Sequence, residues 1–501
     1  MVALSSFIRF HAQRTPAQVA LIYGEDRIVY AELLRRIETT AGWLAAQAIG
    51  PGDVVALLMK NSPAFLELTF AISHLGAVSL PLNYRLAADE IGYILDNAGA
   101  RLLLCDQDLL AAGASMPNAV PVDAAAQRNS TRLAAAAQSP AGRRTAHPDD
   151  LFRLMYTSGT TERPKGVMHS YSNFYWKCAD HVVALGLTAS ERLLIAGPLY
   201  HVGAFDLPGV AVLWVGGTLT LLRDFTAEGA LAAMARERLS GAWLAPVMLG
   251  GILSHPDRAA YDLESMRWVV GGGERTPEAR IRAFSNLFPR ARYVDAYGLT
   301  ESCSGDTMMQ AGRELEKIGS VGRALAHIEV EILGPEGQAR PAGDSGEICL
   351  RGPKITQGYW KDPEKTKASF FGDWFRTGDV GHLDEEGFLY LTDRQKDMII
   401  SGGENIASSE VERVLYELAQ VQDAAVIGIP DERWGERPVA VVVLRPGQTL
   451  SLEALQQHCR RKLAGFKMPK ELIVRSELPR NPSGKVLKRV LRQTLAGRAK
   501  S

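Results

Sequence analysis

The sequence predicts an α/β protein with a large N-terminal domain and a small α+β domain at the C-terminal end. Strand-like and helix-like segments alternate through the first hundred residues, which is typical of a parallel sheet with crossover helices. Between Leu151 and Leu391, short apolar segments recur, each ending in a loop marked by glycine or proline. The pattern starts again after Lys396, and a chain of 501 residues exceeds the usual size of one domain.

Apolar spacing predicts the elements of the first hundred residues in order. Tyr30–Ala48 and Ala64–Leu75 carry apolar residues at helical spacing, so both should form helices. Asp53–Met59, Ala77–Leu80 and Leu102–Cys105 are compact apolar runs, which indicates buried strands. Helices therefore alternate with strands, as crossover connections require.

The middle of the chain predicts loops first and then further strands. Gln107–Asp150 is rich in alanine, serine and proline without clear periodicity, so we expect loops and short surface helices there. Beyond it, four apolar runs predict strands: Leu193–Ala196, Thr218–Leu222, Trp268–Val270 and Ile348–Arg351. Loops at the carboxyl ends of such strands are the expected place for ligand sites.

The C-terminal part has the pattern of a separate unit. Ser409–Glu417 and Leu452–Leu463 have the apolar spacing of helices, whereas Ala424–Ile429 and Val439–Leu444 are strand-like. A boundary near Asp393–Asp397 therefore divides the chain into domains of residues 1–395 and 396–501. Because no long flexible linker marks this boundary, we expect the two domains to share an interface.

Composition and charge exclude several classes of protein. Lysine and arginine number 56, and so do aspartate and glutamate, so there is no general attraction to nucleic acid or to an anionic membrane. The five cysteines lack paired spacing, which predicts reduced thiols and a cytoplasmic protein, without a disulfide scaffold or a zinc site. Arg9, His11 and Arg14 interrupt any apolar signal sequence, and we expect no transmembrane segment.

The most informative segment is Tyr156–Val167, YTSGTTERPKGV. Its hydroxyls, its glycines and Lys165 are the materials of a polyphosphate cradle, although a polar surface turn would have a similar composition. The segment is not a Walker A loop, because Pro164 precedes the lysine and Gly166 follows it. Composition alone leaves both interpretations open.

The pattern YTSGTTxxPKGV resembles the phosphate loop of the adenylate-forming superfamily, which includes acyl-CoA and aryl-CoA synthetases, luciferases and the adenylation domains of peptide synthetases. Six further blocks resemble the remaining family blocks in the same order: Pro198–Ala204 (PLYHVGA), Gly271–Glu274 (GGGE), Ala296–Glu301 (AYGLTE), Trp374–Asp379 (WFRTGD), Asp393–Glu404 (DRQKDMIISGGE) and Pro479–Leu487 (PRNPSGKVL). The resemblance implies an N-terminal domain of stacked mixed sheets with flanking helices and a small mobile C-terminal domain.

The resemblance also implies a reaction in two steps. A carboxylate attacks the α-phosphorus of ATP to give acyl-AMP and pyrophosphate, and the thiol of CoA then displaces AMP. Mg²⁺ would balance charge on the triphosphate. The stretches MYTSGTT, ESCSGDT and KDMIISGGEN look most like bacterial fatty-acyl-CoA and hydroxycinnamoyl (feruloyl)-CoA ligases. ATP, Mg²⁺, CoA and a small carboxylic acid are therefore the expected cofactors and partners.

Motif positions assign the nucleotide site. The phosphates would contact Thr157, Ser158, Gly159, Thr160, Thr161 and Lys165, and the adenine side would comprise Gly272, Gly273, Glu274, Asp295, Ala296, Tyr297 and Gly298. Asp379 would accept the ribose hydroxyls, and Arg394 would reach ribose or phosphate. Thr160 and Glu301 are the expected Mg²⁺ contacts, and Thr300 would hydrogen-bond the α-phosphate. Without the motifs, Tyr297 could be an ordinary core tyrosine and Glu301 a surface carboxylate. Asp379 and Arg394 could each belong to an interdomain salt bridge.

Four further assignments concern catalysis and CoA. Lys485 resembles the lysine that bridges the carboxylate and the α-phosphate, and His201 would position the acid rather than act as a general base. Lys396 matches the family's hinge position, and the CoA tunnel would be lined by Ser401, Gly402 and Gly403. Outside these motifs, Lys485 would be interpreted as a solvated lysine and His201 as a packed core histidine. Gly402 and Gly403 would be interpreted as part of a β-turn without a ligand.

The acid pocket should be small and apolar. Its expected wall consists of Val202, Ala204, Phe205, Met248, Gly271 and Cys303, which suits an aliphatic or aromatic acid. No arginine is evident there to pair with a second carboxylate, so a malonate-like acid is disfavoured. Asp206 is polar and could meet an amino or hydroxyl group of the acid.

Glu162 departs from the family, which usually has glycine at this place. A carboxylate close to a triphosphate repels it, so we expect weaker ATP binding than in a glycine variant. Three rival functions stay open: adenylation that loads a carrier protein in trans, luciferase-type oxidation, and nucleotide binding without chemistry. A homodimer is a further expectation.

Overall fold

The structure is a computed structural model of the chain. It describes residues 3–110, 119–122, 140–144, 146–157, 164–272, 278–394, 397, 399–401, 404–431, 434–460, 462–463, 465–480 and 486–496. The α-helices of these residues are α1 (Ser5–Arg14), α2 (Tyr30–Ala46), α3 (Pro63–His74), α4 (Ala88–Ala98), α5 (Tyr171–Leu185), α6 (Val202–Asp206), α7 (Val210–Trp214), α8 (Ala227–Arg236), α9 (Pro246–Ser254), α10 (Glu278–Leu287), α11 (Pro363–Ala368), α12 (Ser408–Leu415), α13 (Leu452–Arg460) and α14 (Lys488–Ala496).

The strands fall into an N-terminal and a C-terminal set. The first set is β1 (Val19–Tyr23), β2 (Asp26–Val29), β3 (Val54–Leu58), β4 (Val78–Pro81), β5 (Ala100–Asp106), β6 (Ala119–Val122), β7 (Leu151–Thr157), β8 (Lys165–Ser170), β9 (Arg192–Ile195), β10 (Thr218–Leu221), β11 (Gly241–Leu244), β12 (Trp268–Gly272), β13 (Arg292–Tyr297), β14 (Thr307–Met308) and β15 (Arg323–Ala324). The second is β16 (Glu329–Leu333), β17 (Gly346–Arg351), β18 (Phe370–Phe371), β19 (Trp374–Leu383), β20 (Leu389–Arg394), β21 (Ile399–Ser401), β22 (Glu404–Ile406), β23 (Val421–Asp431), β24 (Gly435–Leu444) and β25 (Glu471–Arg475).

The largest sheet is mixed, and its strands run in the order β15-β14-β13-β12-β11-β9-β10-β1-β2. The inner neighbours from β13 to β1 are parallel, whereas β14, β15 and β2 are added antiparallel at the two edges. Parallel strands place their carboxyl ends at the same edge, so the ends of β9, β11, β12 and β13 meet there. Most of the predicted acid and adenine residues that the structure describes lie on these strand ends or on the helices that follow β9 and β11.

A second mixed sheet has the order β6-β5-β3-β4-β7-β8, with β7 and β8 as its antiparallel hairpin. One apolar core joins the two sheets, because it contains Val55 of β3, Val270 of β12 and residues of helices α2, α3 and α5. Helix α3 in this core is capped at its N-terminus by Ser62, whose side chain accepts a hydrogen bond from Phe65 N. Pro63 then forms part of its first turn. The stacked arrangement therefore fixes the phosphate-loop hairpin beside the large sheet.

The remaining strands form a third and a fourth sheet. The third is antiparallel, with β16-β17-β19-β18 in sequence and β20 paired to β19. The fourth joins β22-β21-β24-β23 and β25, and the strand pair β23–β24 buries opposite faces against different helices. Val426 and Val442 pack with α12 and α13, and Ile427 and Val441 pack with α14. This alternation gives the C-terminal unit its own core.

The predicted fold class is confirmed, and the predicted strands and helices agree with the structure to within a few residues. One expectation was wrong: Gln107–Asp150 was predicted to lack strands, yet Ala119–Val122 pairs with β5 at the edge of its sheet. The short run AVPV was not recognised as a strand because it contains Pro121, but a strand at the edge of a sheet tolerates proline. The boundary at residues 395 and 396 stays a prediction; β20 ends at Arg394 and β21 begins at Ile399.

Across the part of the chain that the structure describes, the helices are too short or too polar to cross a lipid bilayer.

Candidate active site

The phosphate-loop motif spans the hairpin between β7 and β8. Thr157 lies opposite Lys165 in this antiparallel pair, so the two residues mark the two ends of the loop. The predicted phosphate contacts between them, and the departure from the family pattern, lie outside the described residues: Ser158, Gly159, Thr160, Thr161 and Glu162. The described residues of the motif, Thr157 and Lys165, therefore lie side by side where β7 ends and β8 begins.

A tyrosine hydroxyl links the two charged residues assigned to the triphosphate and its metal. Lys165 Nζ donates to Tyr359 Oη at 3.0 Å, and Tyr359 Oη donates to Glu301 Oε1 at 2.8 Å. The ammonium also lies 4.1 Å from the centroid of the Tyr359 ring. Burial and the Glu301 carboxylate raise the pKa of Tyr359, so its hydroxyl stays protonated and donates a hydrogen bond to Glu301.

Backbone contacts hold Tyr359 between the two motifs. Thr356 N donates to the Glu301 carbonyl at 2.7 Å, and Trp360 N donates to the Gly166 carbonyl at 2.7 Å. Tyr359 is 4% exposed. Sequence reasoning missed this residue because it lies 58 positions after Glu301, outside every assigned block, so folding alone brings the two together.

The predicted adenine and ribose residues come together where β13 ends beside β19. Tyr297 Oη donates to Asp379 Oδ2 at 2.9 Å, and Asp379 lies opposite Arg394 in the antiparallel pair β19–β20. Burial and the Asp379 carboxylate raise the pKa of Tyr297 well above its usual range, so the phenol remains a donor. Gly298, the next residue, abuts the backbone of Gly305. The stacking role predicted for Tyr297 is thus accompanied by a hydrogen bond that the motif did not indicate.

The glycine block and the YGLTE block lie side by side on neighbouring parallel strands. Gly271 lies opposite Asp295, and Gly272 lies opposite Ala296. The Tyr293 hydroxyl packs directly on Gly271, so this glycine, which was predicted to line the acid pocket, is covered by a tyrosine. The close approach excludes any larger residue at that position.

His201 begins helix α6 and carries its proton on the outer ring nitrogen. Nδ1 of the ring accepts from Gly203 N at 3.1 Å, so the proton of the neutral imidazole resides on Nε2. Burial lowers the pKa of His201 to about 4. A neutral ring that is protonated at Nε2 can donate a hydrogen bond to a carboxylate but cannot remove a proton from one at that atom. This geometry suits positioning of the acid.

The other predicted acid-pocket residues are buried, except for Met248, which is half-buried. Val202, Ala204 and Phe205 lie in the helix that His201 begins, and Cys303 is fully buried in a left-handed backbone with φ of 57°. Burial raises the pKa of the Cys303 thiol to about 12. Met248 on α9 is half-buried and packs against the cores on both faces of the largest sheet.

A buried ion network connects α6 to the turn of Thr300. Arg153 Nη2 donates to Asp206 Oδ2 at 2.8 Å, and Lys177 Nζ lies 3.4 Å from Asp206 Oδ1. Arg153 Nε also donates to His169 Nδ1 at 3.1 Å, and His169 Nε2 donates to the Thr300 carbonyl at 2.6 Å. Burial and the Arg153 charge lower the pKa of His169, so its neutral ring bridges the guanidinium and the carbonyl.

This network changes two expectations about the acid pocket. Asp206 is fully buried and paired with two cations, so its carboxylate is not available to an amino or hydroxyl group of the acid. An arginine does approach the acid helix, because Arg153 packs 5.1 Å from the Phe205 ring centroid, but Asp206 neutralises its charge. One indication of this buried ion network was present in the sequence, because Arg153 is a charged residue within the apolar run LFRLMYT.

A second ion group holds the turn that follows Glu301. Lys354 Nζ donates to the Gly305 carbonyl at 2.5 Å and lies 3.3 Å from both Asp180 Oδ2 and Asp306 Oδ1. Ser302 Oγ donates to Asp306 Oδ2 at 2.5 Å. Removing one member would leave buried charge unpaired, so the network should hold the turn rigidly.

The C-terminal predictions lie largely beyond the described residues. Outside them are Lys396, Gly402, Gly403 and Lys485, and so are Gly273 and Glu274 of the N-terminal domain. Ser401 ends β21 as a buried residue, and Arg480 forms an antiparallel bridge with Val486. Arg480 also lies 2.6 Å from Asp423, so these described residues near the predicted catalytic lysine are held on the C-terminal unit.

Comparison with known proteins gives matches over most of the chain. The family model described as AMP-binding enzyme matches residues 8–360, and the model of its C-terminal domain matches residues 410–485. The chain is 38% identical to a feruloyl-CoA synthase of Amycolatopsis sp over 96% of this chain and 97% of that protein. It is 36% identical to the long-chain-fatty-acid–CoA ligase FadD13 of Mycobacterium tuberculosis over 93% of each chain.

A solved structure gives a corresponding match in three dimensions. It is the o-succinylbenzoate coenzyme A synthetase of Bacillus subtilis in complex with ATP and magnesium ion, with a TM-score of 0.85 and 32% identity over 97% of this chain and 99% of that one. The site geometry, the two family matches and these relatives agree: the chain belongs to the AMP-binding enzyme family.

Proposed function

We propose that this enzyme is an ATP-dependent carboxylic acid–CoA ligase. It joins an acid to ATP, giving acyl-AMP and pyrophosphate, and then transfers the acyl group to CoA with release of AMP. The acid is a fatty or an aromatic carboxylic acid. Relatives named as feruloyl-CoA synthase and long-chain-fatty-acid–CoA ligase support these two classes.

The observation that carries the proposal is the convergence of two groups at the end of β13. Tyr297, its last residue, hydrogen-bonds Asp379, and Glu301 follows four positions later in hydrogen-bond contact with Tyr359. Lys165 completes the second group from the phosphate-loop hairpin. The carboxylate predicted to bind ribose and the lysine predicted to bind phosphate thus contact the two ends of one short turn, Tyr297 to Glu301, which supports binding of a nucleoside triphosphate.

The chain's residues fit a magnesium ion at the triphosphate. Mg²⁺ is usually held by one or two carboxylates together with phosphate oxygens and water. The Glu301 carboxylate, 2.8 Å from Tyr359 and close to the phosphate-loop lysine, would supply the protein's carboxylate, with Thr160 as a second contact. Bound there, the ion would neutralise charge on the phosphates.

The acid and its attack on the α-phosphorus would be controlled by His201, Thr300 and Lys485. The Nε2–H of His201 would orient the carboxylate. Thr300, which His169 holds through its carbonyl, would donate to the α-phosphate. Lys485 would bridge the two anions and reduce their repulsion during in-line attack.

The second step would use another face of the C-terminal domain. Rotation about Lys396 would bring Ser401, Gly402 and Gly403 against the pantetheine arm of CoA. Lys485 would leave the site in the same motion, so it serves adenylation and not thioester formation.

The five free cysteines, all buried, and a demand for ATP and CoA support a cytoplasmic enzyme. The homodimer stays a prediction that sedimentation velocity can measure.

The test is pyrophosphate release with ATP and Mg²⁺ across C2 to C18 fatty acids and benzoate- or cinnamate-type acids, with and without CoA. Continuous release that requires CoA supports the ligase. A single stoichiometric burst that CoA does not relieve would favour a carrier-protein thiol as acceptor, and ATP binding without release would favour a nucleotide-binding regulator.

A further inference from the structure

Trp243 lies where sequence motifs gave no indication of a substrate contact. It is the third residue of β11, near the carboxyl end of the strand, and it is 5% exposed. Its neighbours across the sheet edge are the loop after β9 and the start of α6. These segments contain His201 and the predicted acid pocket.

The Trp243 indole is inserted between two glycines of those segments. A Cβ at Gly203 would lie 2.7 Å from Cη2 and 2.9 Å from Cε2 of the indole, and a Cβ at Gly197 would lie 2.9 Å from Cε3. Both positions are therefore restricted to glycine, since real Cβ atoms do not approach so closely. The ring occupies the space that side chains at Gly197 and Gly203 would fill in another sequence.

The six-membered ring of the indole packs on the acid helix. Cζ2, Cη2 and Cε2, the last of which is bonded to Nε1, approach Gly203, whereas Cε3 and Cζ3 approach Gly197. The Nε1–H has no hydrogen-bond acceptor among the residues that the structure describes. Gly203 itself donates to the His201 ring that would orient the carboxylate. The indole therefore packs on a glycine that lies two residues after the histidine assigned to the carboxylate.

We propose that Trp243 is a specificity-determining residue of the acid site. Its ring closes the site alongside α6, and its Nε1–H donates to an oxygen of the bound acid. The enzyme therefore takes a compact, oxygen-bearing acid of single-ring size in preference to a long alkyl chain. This inference rests on the proposed ligase function, and it chooses between the two acid classes that the function leaves open.

The first test compares Trp243→Ala with the wild-type chain on 4-hydroxycinnamate, cinnamate and dodecanoate, with kcat/KM from CoA-dependent AMP formation. We expect the ratio of dodecanoate to 4-hydroxycinnamate to rise at least about tenfold in Trp243→Ala, because pocket size discriminates by roughly this factor for each methylene. Trp268→Ala is the matched control. Trp268 is 3% exposed, also packs on a glycine and also has an unpartnered Nε1–H, but it begins β12 at the far end of the strand.

A second variant keeps the test decisive if Trp243→Ala does not fold. Trp243→Phe retains an aromatic ring and removes the N–H, so the preference for 4-hydroxycinnamate over cinnamate should fall about three- to tenfold. Trp268→Phe should leave that ratio unchanged. An unaltered acid profile in both Trp243 variants would overturn the inference while leaving the ligase intact. Failure of the wild-type chain to use any acid would instead overturn the proposed function.

Discussion

The hydroxyl of Tyr359 should control how the enzyme binds ATP and Mg²⁺. In Tyr359→Phe the ring remains, but Lys165 loses an acceptor and Glu301 loses a donor that lie at 3.0 and 2.8 Å. The hydroxyl that lies between Lys165 and Glu301 is then absent, and we expect the ammonium and the carboxylate to pair directly. Such a pair would compete with phosphate for Lys165 and with Mg²⁺ for Glu301.

The magnitude follows from the kind of hydrogen bond that is lost. Hydrogen bonds to charged groups contribute about 1.5–3 kcal/mol each, and water replaces part of this. A net loss of about 1.5–3 kcal/mol corresponds to an increase of about 10- to 150-fold in the KM for ATP. The Mg²⁺ concentration for half-maximal ATP binding should rise in parallel, and kcat at saturation should change less.

The assay is ATP–pyrophosphate exchange over a range of ATP and Mg²⁺, with calorimetric titration of ATP in the absence of acid. The control is Tyr416→Phe, which removes a phenol that donates to a carboxylate, Asp423, at 2.7 Å in the C-terminal unit. The control should leave the KM for ATP unchanged. If Tyr359→Phe binds ATP and Mg²⁺ like the wild-type chain, Tyr359 does not organise the phosphate site.

Three further predictions concern other residues of the site. Lys485→Ala should lose at least about a hundredfold in adenylation and keep most of its thioester formation from added acyl-AMP; equal losses in both assays would contradict the bridging role. Glu162→Gly should lower the KM for ATP, because a carboxylate near the triphosphate is removed; an unchanged KM would mean that Glu162 points into solvent. Burial lowers the pKa of His201 from 6.5 to about 4, so stability from its neutral ring is present above pH 6.5 and is lost as the pH falls toward 4. Urea titrations of the wild-type chain and His201→Asn between pH 4 and 8 should show a weaker pH dependence in the variant, and identical dependence would refute the shift.

Local pattern was sufficient for the fold because most elements bury a continuous apolar face. Tyr30–Ala46 shows helical periodicity, and Val54–Leu58 is buried at every position, so each is marked within its own sequence. Strand β6 escaped because Pro121 and the short run AVPV resemble a loop, and its pairing with β5 is a tertiary feature.

The site was predictable where both partners of a contact lie in recognised motifs, and less so where one partner lies outside every motif. Tyr297 and Asp379 were assigned by motif, and folding brings them within a hydrogen bond. Tyr359 and Arg153 escaped because their partners lie far along the chain. Trp243 escaped because its importance comes from the absence of side chains on neighbouring segments, which no pattern around position 243 records.

The most direct test of the central claim is product analysis of a single reaction with acid, ATP, Mg²⁺ and CoA. The ligase predicts AMP, pyrophosphate and acyl-CoA in equal amounts, with acyl-AMP accumulating when CoA is left out. ADP and inorganic phosphate as products, or AMP without any thioester, would contradict it.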